Sequence, residues 1–100
     1  MNKKRSSKEI LGAEIDDVIN HIEEMFENGM SWDNYGEWHI DHKVPLASAD
    51  DEEELEALFY YKNIQPMWAE LNLSKGASYD VVDKLEYLKW YSANVKKLDL

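Results

Sequence analysis

The chain has 100 residues, a formal net charge of −10 at pH 7 and no cysteine. This length suits one domain with a core of its own, and the lack of cysteine excludes disulfides and thiolate zinc sites, so we expect no structural zinc. Its apolar runs are far shorter than the ~20 residues of a membrane span, and no apolar segment follows the basic N-terminus, so we expect a cytoplasmic protein without a membrane partner.

The charge is unevenly distributed. Residues 1–8 contain four basic side chains and no acid, whereas positions 9 to 37 contain nine acids and no Lys or Arg. A second acidic run covers positions 50 to 56. Because nonspecific affinity for phosphate backbones comes largely from cations that release counterions, this balance opposes tight binding to bare nucleic acid.

The first part of the chain predicts an arm and a helix. Residues 1–9 are expected to form a flexible basic arm, followed by a single domain over 10–100. Apolar residues at helical spacing predict an amphipathic helix over 14–27, ended by Asn28 and Gly29. His21 is expected at the surface of this helix. The apolar positions are Ile15, Val18, Ile19, Ile22 and Phe26.

A strand is predicted from Trp38 to position 44, where Pro45 ends it. Trp32, Tyr35 and Trp38 are expected to cover the apolar side of a small sheet. Alternation places His39 and Asp41 on the face opposite Trp38 and Ile40, with His42 continuing the Trp38 row. A bulge near His42 would bring Asp41 and His42 to one pocket.

The second half predicts a helix over 52–61, a strand over 63–67, a helix over 68–75 ended by Gly76, and a last helix reaching 97. The last helix either packs in cis, which we favour, or forms a dimer. The helix over 52–61 is expected to be capped by Ser48 or Asp50 and to bury Leu55, Leu58 and Phe59. The last helix is expected to be capped by Ser78 or Asp80, and its expected buried residues are Val81, Val82, Leu85, Leu88 and Tyr91.

A strand, a long connection, a strand and a helix therefore carry His42, Asn63 and Asn72 in that order, in the segments DHKVP, NIQPMW and NLSKG. This arrangement resembles the His-Asn-His (HNH) endonucleases of the ββα-metal, or His-Me finger, group. Asn72 stands where the commonest pattern has its last histidine, which makes this an HNN variant. The segment before the first strand resembles that of small phage and prophage HNH proteins. The resemblance covers about residues 10–78, with its motif core at 38–76.

The resemblance implies an α+β fold with a ββα-metal core, flanked by N-terminal, connecting and C-terminal helices. It also implies divalent-metal-dependent hydrolysis of DNA phosphodiester bonds. His42 would be the general base, because a neutral imidazole accepts a proton near pH 7. Asn63 would hold the ring through its side-chain oxygen. Asp41 and Asn72 would supply oxygen ligands to one metal ion, a chemistry that suits Mg²⁺ or Mn²⁺.

The remaining implied roles concern the substrate. Lys75 would lie near a phosphate, and His39 and Lys43 would contribute further substrate contacts. Only Glu70 is acidic between positions 63 and 75, so a positive site can coexist with an acidic surface elsewhere. Because the acidic chain would still bind bare DNA weakly, we expect that it acts with a protein partner from phage or mobile-element machinery in a bacterial host, that it acts on a distorted target, or that its basic arm adds contacts.

Two alternatives stay open at this point. The chain could be a protein-binding module on an HNH scaffold, for instance an inhibitor whose acidic face mimics DNA. It could also be an accessory factor in phage assembly. Metal binding at Asp41 and Asn72 separates the endonuclease from both.

Overall fold

The computed structural model describes residues 7–96, which form an α+β fold of helices around one two-stranded antiparallel sheet. In chain order the elements are α1 (Ser7–Leu11), α2 (Ile15–Glu24), β1 (Trp38–His42), α3 (Glu52–Phe59), β2 (Ile64–Trp68), α4 (Ala69–Lys75) and α5 (Val81–Asn94). Short 3₁₀ turns lie at Trp32–Asn34, Leu46–Ser48 and Tyr61–Asn63. No helix within these residues is long and apolar enough to cross a membrane.

The two strands pair one to one, from Trp38 opposite Trp68 to His42 opposite Ile64. This register contains no bulge near His42, the feature that would have brought Asp41 and His42 to one pocket. The pairing continues one step beyond β1, where the Lys43 N–H donates to a carbonyl of the chain entering β2 at 2.8 Å. Helix α4 follows β2 directly and packs against both strands.

The core lies between α2 and the sheet. Trp38 is fully buried at its centre, and its indole N–H donates to the carbonyl of Ser31 at 2.7 Å. The rings of Trp32 and Tyr35 meet it edge-on, which confirms the predicted aromatic cover. The other buried members of this cluster are Val18, Ile22, Met30 and Ile64.

The N-terminal region differs from the prediction in three ways. Helix α1 begins at Ser7, inside the predicted arm, whereas residues 1–6 of that arm lie outside the described part. Helix α2 ends at Glu24, before the predicted end, and Phe26 turns its ring onto Trp38. His21 is half-buried instead of superficial, because its Nε2 donates to the carbonyl of Ile64 at 2.8 Å.

Neither of the two residues expected to cap helix α3, Ser48 and Asp50, is its N-cap. Its N-cap is Asp51, which accepts from the N–H of Glu54 at 2.8 Å. Ser48 is the last residue of the preceding 3₁₀ turn, where its hydroxyl donates to the carbonyl of Pro45. Leu58 is fully buried as predicted, whereas Leu55 is 37% exposed.

Helix α5 packs on α3 within the same chain, and Asp80 caps it as one of the two expected residues. Its buried side was predicted in part, since Leu88 and Tyr91 are half-buried as expected. Lys84 is 6% exposed, and the hydroxyl of Tyr87 donates to the carbonyl of Ala57 at 2.6 Å. Positions 84, 87, 88 and 91 form a stripe of helical spacing that is rotated away from the most apolar one. Three residues of the predicted stripe are exposed instead, namely Val81, Val82 and Leu85.

Candidate functional site

The candidate site is built around the carboxylate of Asp41, near the end of β1. Asp41 is only 8% exposed and faces Gln65 across the sheet. Gln65 Nε2 donates to Asp41 Oδ2 at 2.9 Å, and Lys75 Nζ lies 3.2 Å from Asp41 Oδ1. Because a buried carboxylate is costly without partners, these two contacts fix its position and neutralise its charge.

Lys75 ties the end of α4 to the end of β1. Besides its ion pair with Asp41, its Nζ donates to the backbone carbonyl of His42 at 2.9 Å. The ammonium group has three donors, and these contacts use two of them among the described residues. One donor therefore remains for a further acceptor, such as a phosphate oxygen.

His42 is the last residue of β1 and is half-buried, with its ring edge-on to Phe59 at a centroid distance of 6.2 Å. Burial lowers the pKa of the His42 ring below its usual 6.5; the Lys75 ammonium adds to this shift and the Asp41 carboxylate opposes it. The ring makes no hydrogen bond with any of residues 7–96. It is thus neutral near pH 7 and has a nitrogen lone pair available to accept a proton.

The structure places Asn63 differently from the expectation. Its side-chain oxygen accepts from the N–H of Val44 at 3.1 Å, and its amide donates to the carbonyls of Val44 and Leu58 at 2.9 Å each. The oxygen expected to hold the imidazole is therefore bound to backbone. Asn63 fixes the chain that leaves β1 and, through it, the position of His42.

The hydrogen bonds around Asp41 do not include the other expected site residues. Asn72 is half-buried, one helical turn before Lys75 on α4, and its side chain makes no hydrogen bond among the described residues. His39 pairs with Met67 across the sheet, and its ring lies against Tyr35 at 5.8 Å. Lys43 follows β1 directly. Lys75 thus joins Asp41 and the backbone of His42 through hydrogen bonds, whereas the ring contact of His39 is with Tyr35.

The donor chemistry around Asp41 fits a hard cation on one condition. Among residues 7–96, no group of three or more His, Cys, Asp or Glu side chains surrounds a metal position. Asp41 contributes a carboxylate, and Gln65, which contacts it, a carboxamide. With the carboxamide of Asn72, which the resemblance adds as a ligand, these oxygens suit Mg²⁺ or Mn²⁺ better than zinc. The ammonium of Lys75 already neutralises Asp41, so a cation fits only where Lys75 withdraws.

Gln65 is the site residue that sequence reasoning missed. Its signal was the strand register: pairing His42 with Ile64 places Asp41 directly opposite Gln65. Side chains that face each other across an antiparallel pair lie within hydrogen-bonding reach.

Comparisons with known proteins identify viral relatives. The chain is 28% identical over 100 residues to the uncharacterized protein L246 of Acanthamoeba polyphaga mimivirus, covering 97% of this chain and 44% of that protein. It is 42% identical over 62 residues to the uncharacterized protein L426 of the same virus, covering 59% of this chain and 27% of that protein. The chain therefore spans less than half the length of these curated relatives. They give no support to the expected bacterial host.

No protein-family model matches the chain. No solved structure matches it either.

Proposed function

We propose that the chain is a divalent-metal-dependent DNA endonuclease or nickase, with β1, β2 and α4 as a ββα-metal core of the HNN type. The observation that carries this proposal is the contact of Lys75 with Asp41 Oδ1 and with the carbonyl of His42, across 34 and 33 residues of sequence. A buried carboxylate, a neutral imidazole and a cation at one end of a sheet are the groups that phosphodiester hydrolysis requires.

In this proposal His42 is the general base. Its lowered pKa keeps the ring neutral at physiological pH, so a ring nitrogen can take the proton of the attacking water. Asn63 acts as a positioning residue, because its three backbone hydrogen bonds hold the segment that follows the ring. The edge contact with Phe59 limits the orientations that the imidazole can adopt.

Asp41 and Asn72 would hold one Mg²⁺ or Mn²⁺ ion. When bound, such an ion supplies positive charge for the phosphate and for the leaving 3′ oxygen. Gln65 would orient the Asp41 carboxylate through its hydrogen bond to Oδ2. Both roles use side chains of adjacent elements that already pack together, since α4 lies against the two strands.

The third donor of Lys75 would contact a phosphate oxygen of the DNA, with Lys43 and His39 on either side along β1. This local positive charge contrasts with the net charge of −10. Because that net charge repels a polyanion at long range, we propose that a protein partner or a distorted target supplies the remaining affinity.

The test is cleavage of supercoiled plasmid by the purified protein with Mg²⁺ or Mn²⁺. Loss of a general base typically costs about 10²–10⁴-fold in rate, so His42→Ala should lose cleavage to that extent. His21→Gln is the matched control, because it changes a histidine outside the site and should retain cleavage. Equal cleavage by wild type and His42→Ala would refute the proposed base.

A second candidate is a protein-binding module whose acidic surface mimics DNA. It is favoured by the exposed acids on α2 and by the neutralisation of Asp41 within the chain. Its partner would be a basic, DNA-binding protein. The test is capture of that partner by two variants. This candidate is favoured if the His42→Ala variant still captures the partner and a variant with four acids of α2 changed to amides does not. The four acids are Asp16, Asp17, Glu23 and Glu24.

A further inference from the structure

Lys75 and Asp41 form a nearly buried ion pair. The ammonium of Lys75 lies 3.2 Å from Asp41 Oδ1, and the side chains of Lys75 and Asp41 are 19% and 8% exposed. Removing one charge of a nearly buried ion pair leaves the other uncompensated, so each of these charges needs a counter-charge at all times.

The other carboxylate oxygen is already engaged. Gln65 Nε2 donates to Asp41 Oδ2, which leaves Oδ1 directed toward α4 and its lysine. A Mg²⁺ ion held by Asp41 would need Oδ1, the oxygen that the ammonium of Lys75 now contacts. A divalent ion and the Lys75 ammonium on the same oxygen would repel each other strongly in a poorly hydrated site, so both cannot share Oδ1.

Lys75 is placed to move. It is the last residue of α4, and Gly76 follows it with a positive φ of 52° in an exposed turn. The lysine side chain is long and flexible, and its 19% exposure shows that it reaches solvent. A change of rotamer would release Asp41 without moving the helix.

Resting on the proposed nuclease function, we propose that Lys75 is a tethered counter-cation, which neutralises Asp41 in the metal-free protein and leaves it when a divalent ion binds. The released ammonium then faces the mouth of the site, where it can contact the phosphate of the substrate. Metal binding and substrate binding are thereby linked through one side chain.

The experiment measures Mn²⁺ affinity by calorimetry in wild type, Lys75→Met and Lys62→Met. Lys75→Met removes the competing charge while keeping the length of the side chain, so it should bind Mn²⁺ on the order of tenfold more tightly. Lys62→Met makes the same change in net charge on an exposed lysine and should match wild type. Asp41→Asn should abolish this binding.

Thermal unfolding supplies a readout independent of cleavage. In EDTA, Lys75→Met should melt at a lower temperature than wild type, because Asp41 loses its counter-charge. Adding Mn²⁺ should raise its melting temperature by more than that of wild type. Where Lys75→Met does not fold, Lys75→Gln, which keeps a donor for the His42 carbonyl, replaces it in both measurements.

The outcomes separate this inference from the proposed function. If wild type and the Lys75 variant bind Mn²⁺ with equal affinity and Asp41→Asn does not bind it, the counter-cation role of Lys75 is overturned and the proposed metal site stands. Binding that persists in Asp41→Asn, or its absence from every variant, would overturn both proposals.

Discussion

Replacing Asn63 by Ala should destabilise the fold far more than it alters any chemistry. Asn63 is 1% exposed, and its side chain serves three backbone groups: the N–H and carbonyl of Val44 and the carbonyl of Leu58. The Leu58 carbonyl belongs to the last turn of α3, where helix carbonyls have no partner of their own. Alanine would leave all three groups without a hydrogen bond in the protein interior.

The magnitude follows from those three groups. A buried polar group without a partner costs about 1–3 kcal/mol, so the sum of the three is about 3–9 kcal/mol. Water that enters the space of the lost amide recovers part of this cost. We therefore expect a loss of about 3–5 kcal/mol, which is a large fraction of the ~5–15 kcal/mol stability of a typical domain.

The assay is urea unfolding in EDTA, followed by tryptophan fluorescence, which the buried Trp38 makes sensitive to loss of the core. Asn72→Ala is the matched control. Its side chain is half-buried and makes no hydrogen bond among the described residues, so we expect a change below about 1 kcal/mol. The two asparagines of the motif should thus separate, one affecting folding and the other metal binding.

A loss below about 1 kcal/mol in Asn63→Ala would refute this reasoning. If such a stable variant also lost plasmid cleavage, the side chain would act on the His42 ring after all.

Two further predictions concern regions outside the site. Burial lowers the pKa of His21 in the folded chain below 6.5, so the unfolded chain takes up the proton first, and stability should fall as the pH drops from about 6.5 toward the folded-state value. Burial also lowers the pKa of His42. The difference between the melting temperatures at pH 7 and pH 5.5 should therefore be smaller in His21→Gln than in wild type, but should not vanish. Lys84→Met should lower the melting temperature, because the 6% exposed ammonium bonds two acids and a backbone carbonyl. Lys96→Met, which removes an exposed ion pair, should lower the melting temperature by less than Lys84→Met does. A larger decrease in Lys96→Met would contradict the packing of α5.

Much of the architecture could be predicted from local patterns. The strand at Trp38 and the strand after Asn63 were predicted within one or two residues, because β-formers fill both and Pro45 follows the first. Pro66 was expected to stop the second strand, and this was wrong, because Pro66 lies inside β2 opposite Ile40. The helix that ends at Gly76 was also predicted, since glycine at that position favours a positive φ. These features depend on residues close together in sequence.

The errors came from interactions between distant residues. Lys84 and Tyr87 of α5 are buried in place of Val81, Val82 and Leu85, because Lys84 contacts Glu54 of α3 and the carbonyl of Ser48, and Tyr87 contacts the carbonyl of Ala57. His21 is half-buried because the sheet lies against α2 and offers the carbonyl of Ile64. No periodicity along one helix reports such partners.

The candidate site shows the same division. Asp41, His42 and Lys75 were selected from motif spacing, and folding does bring them together. The contacts of Asn63 depend on which backbone carbonyls lie near it in the fold, and the role of Gln65 depends on the strand register. The spacing of residues along the sequence predicts neither.

The central claim is that Asp41 and Asn72 bind a divalent ion beside the ring of His42. The most direct measurement is a crystal structure of the protein soaked in Mn²⁺, with the ion located by its anomalous scattering. The account predicts one Mn²⁺ ion at about 2.2 Å from an oxygen of each residue, with Lys75 turned away from Asp41. Crystals that hold Mn²⁺ only at surface carboxylates, with the Lys75–Asp41 ion pair unchanged, would contradict it.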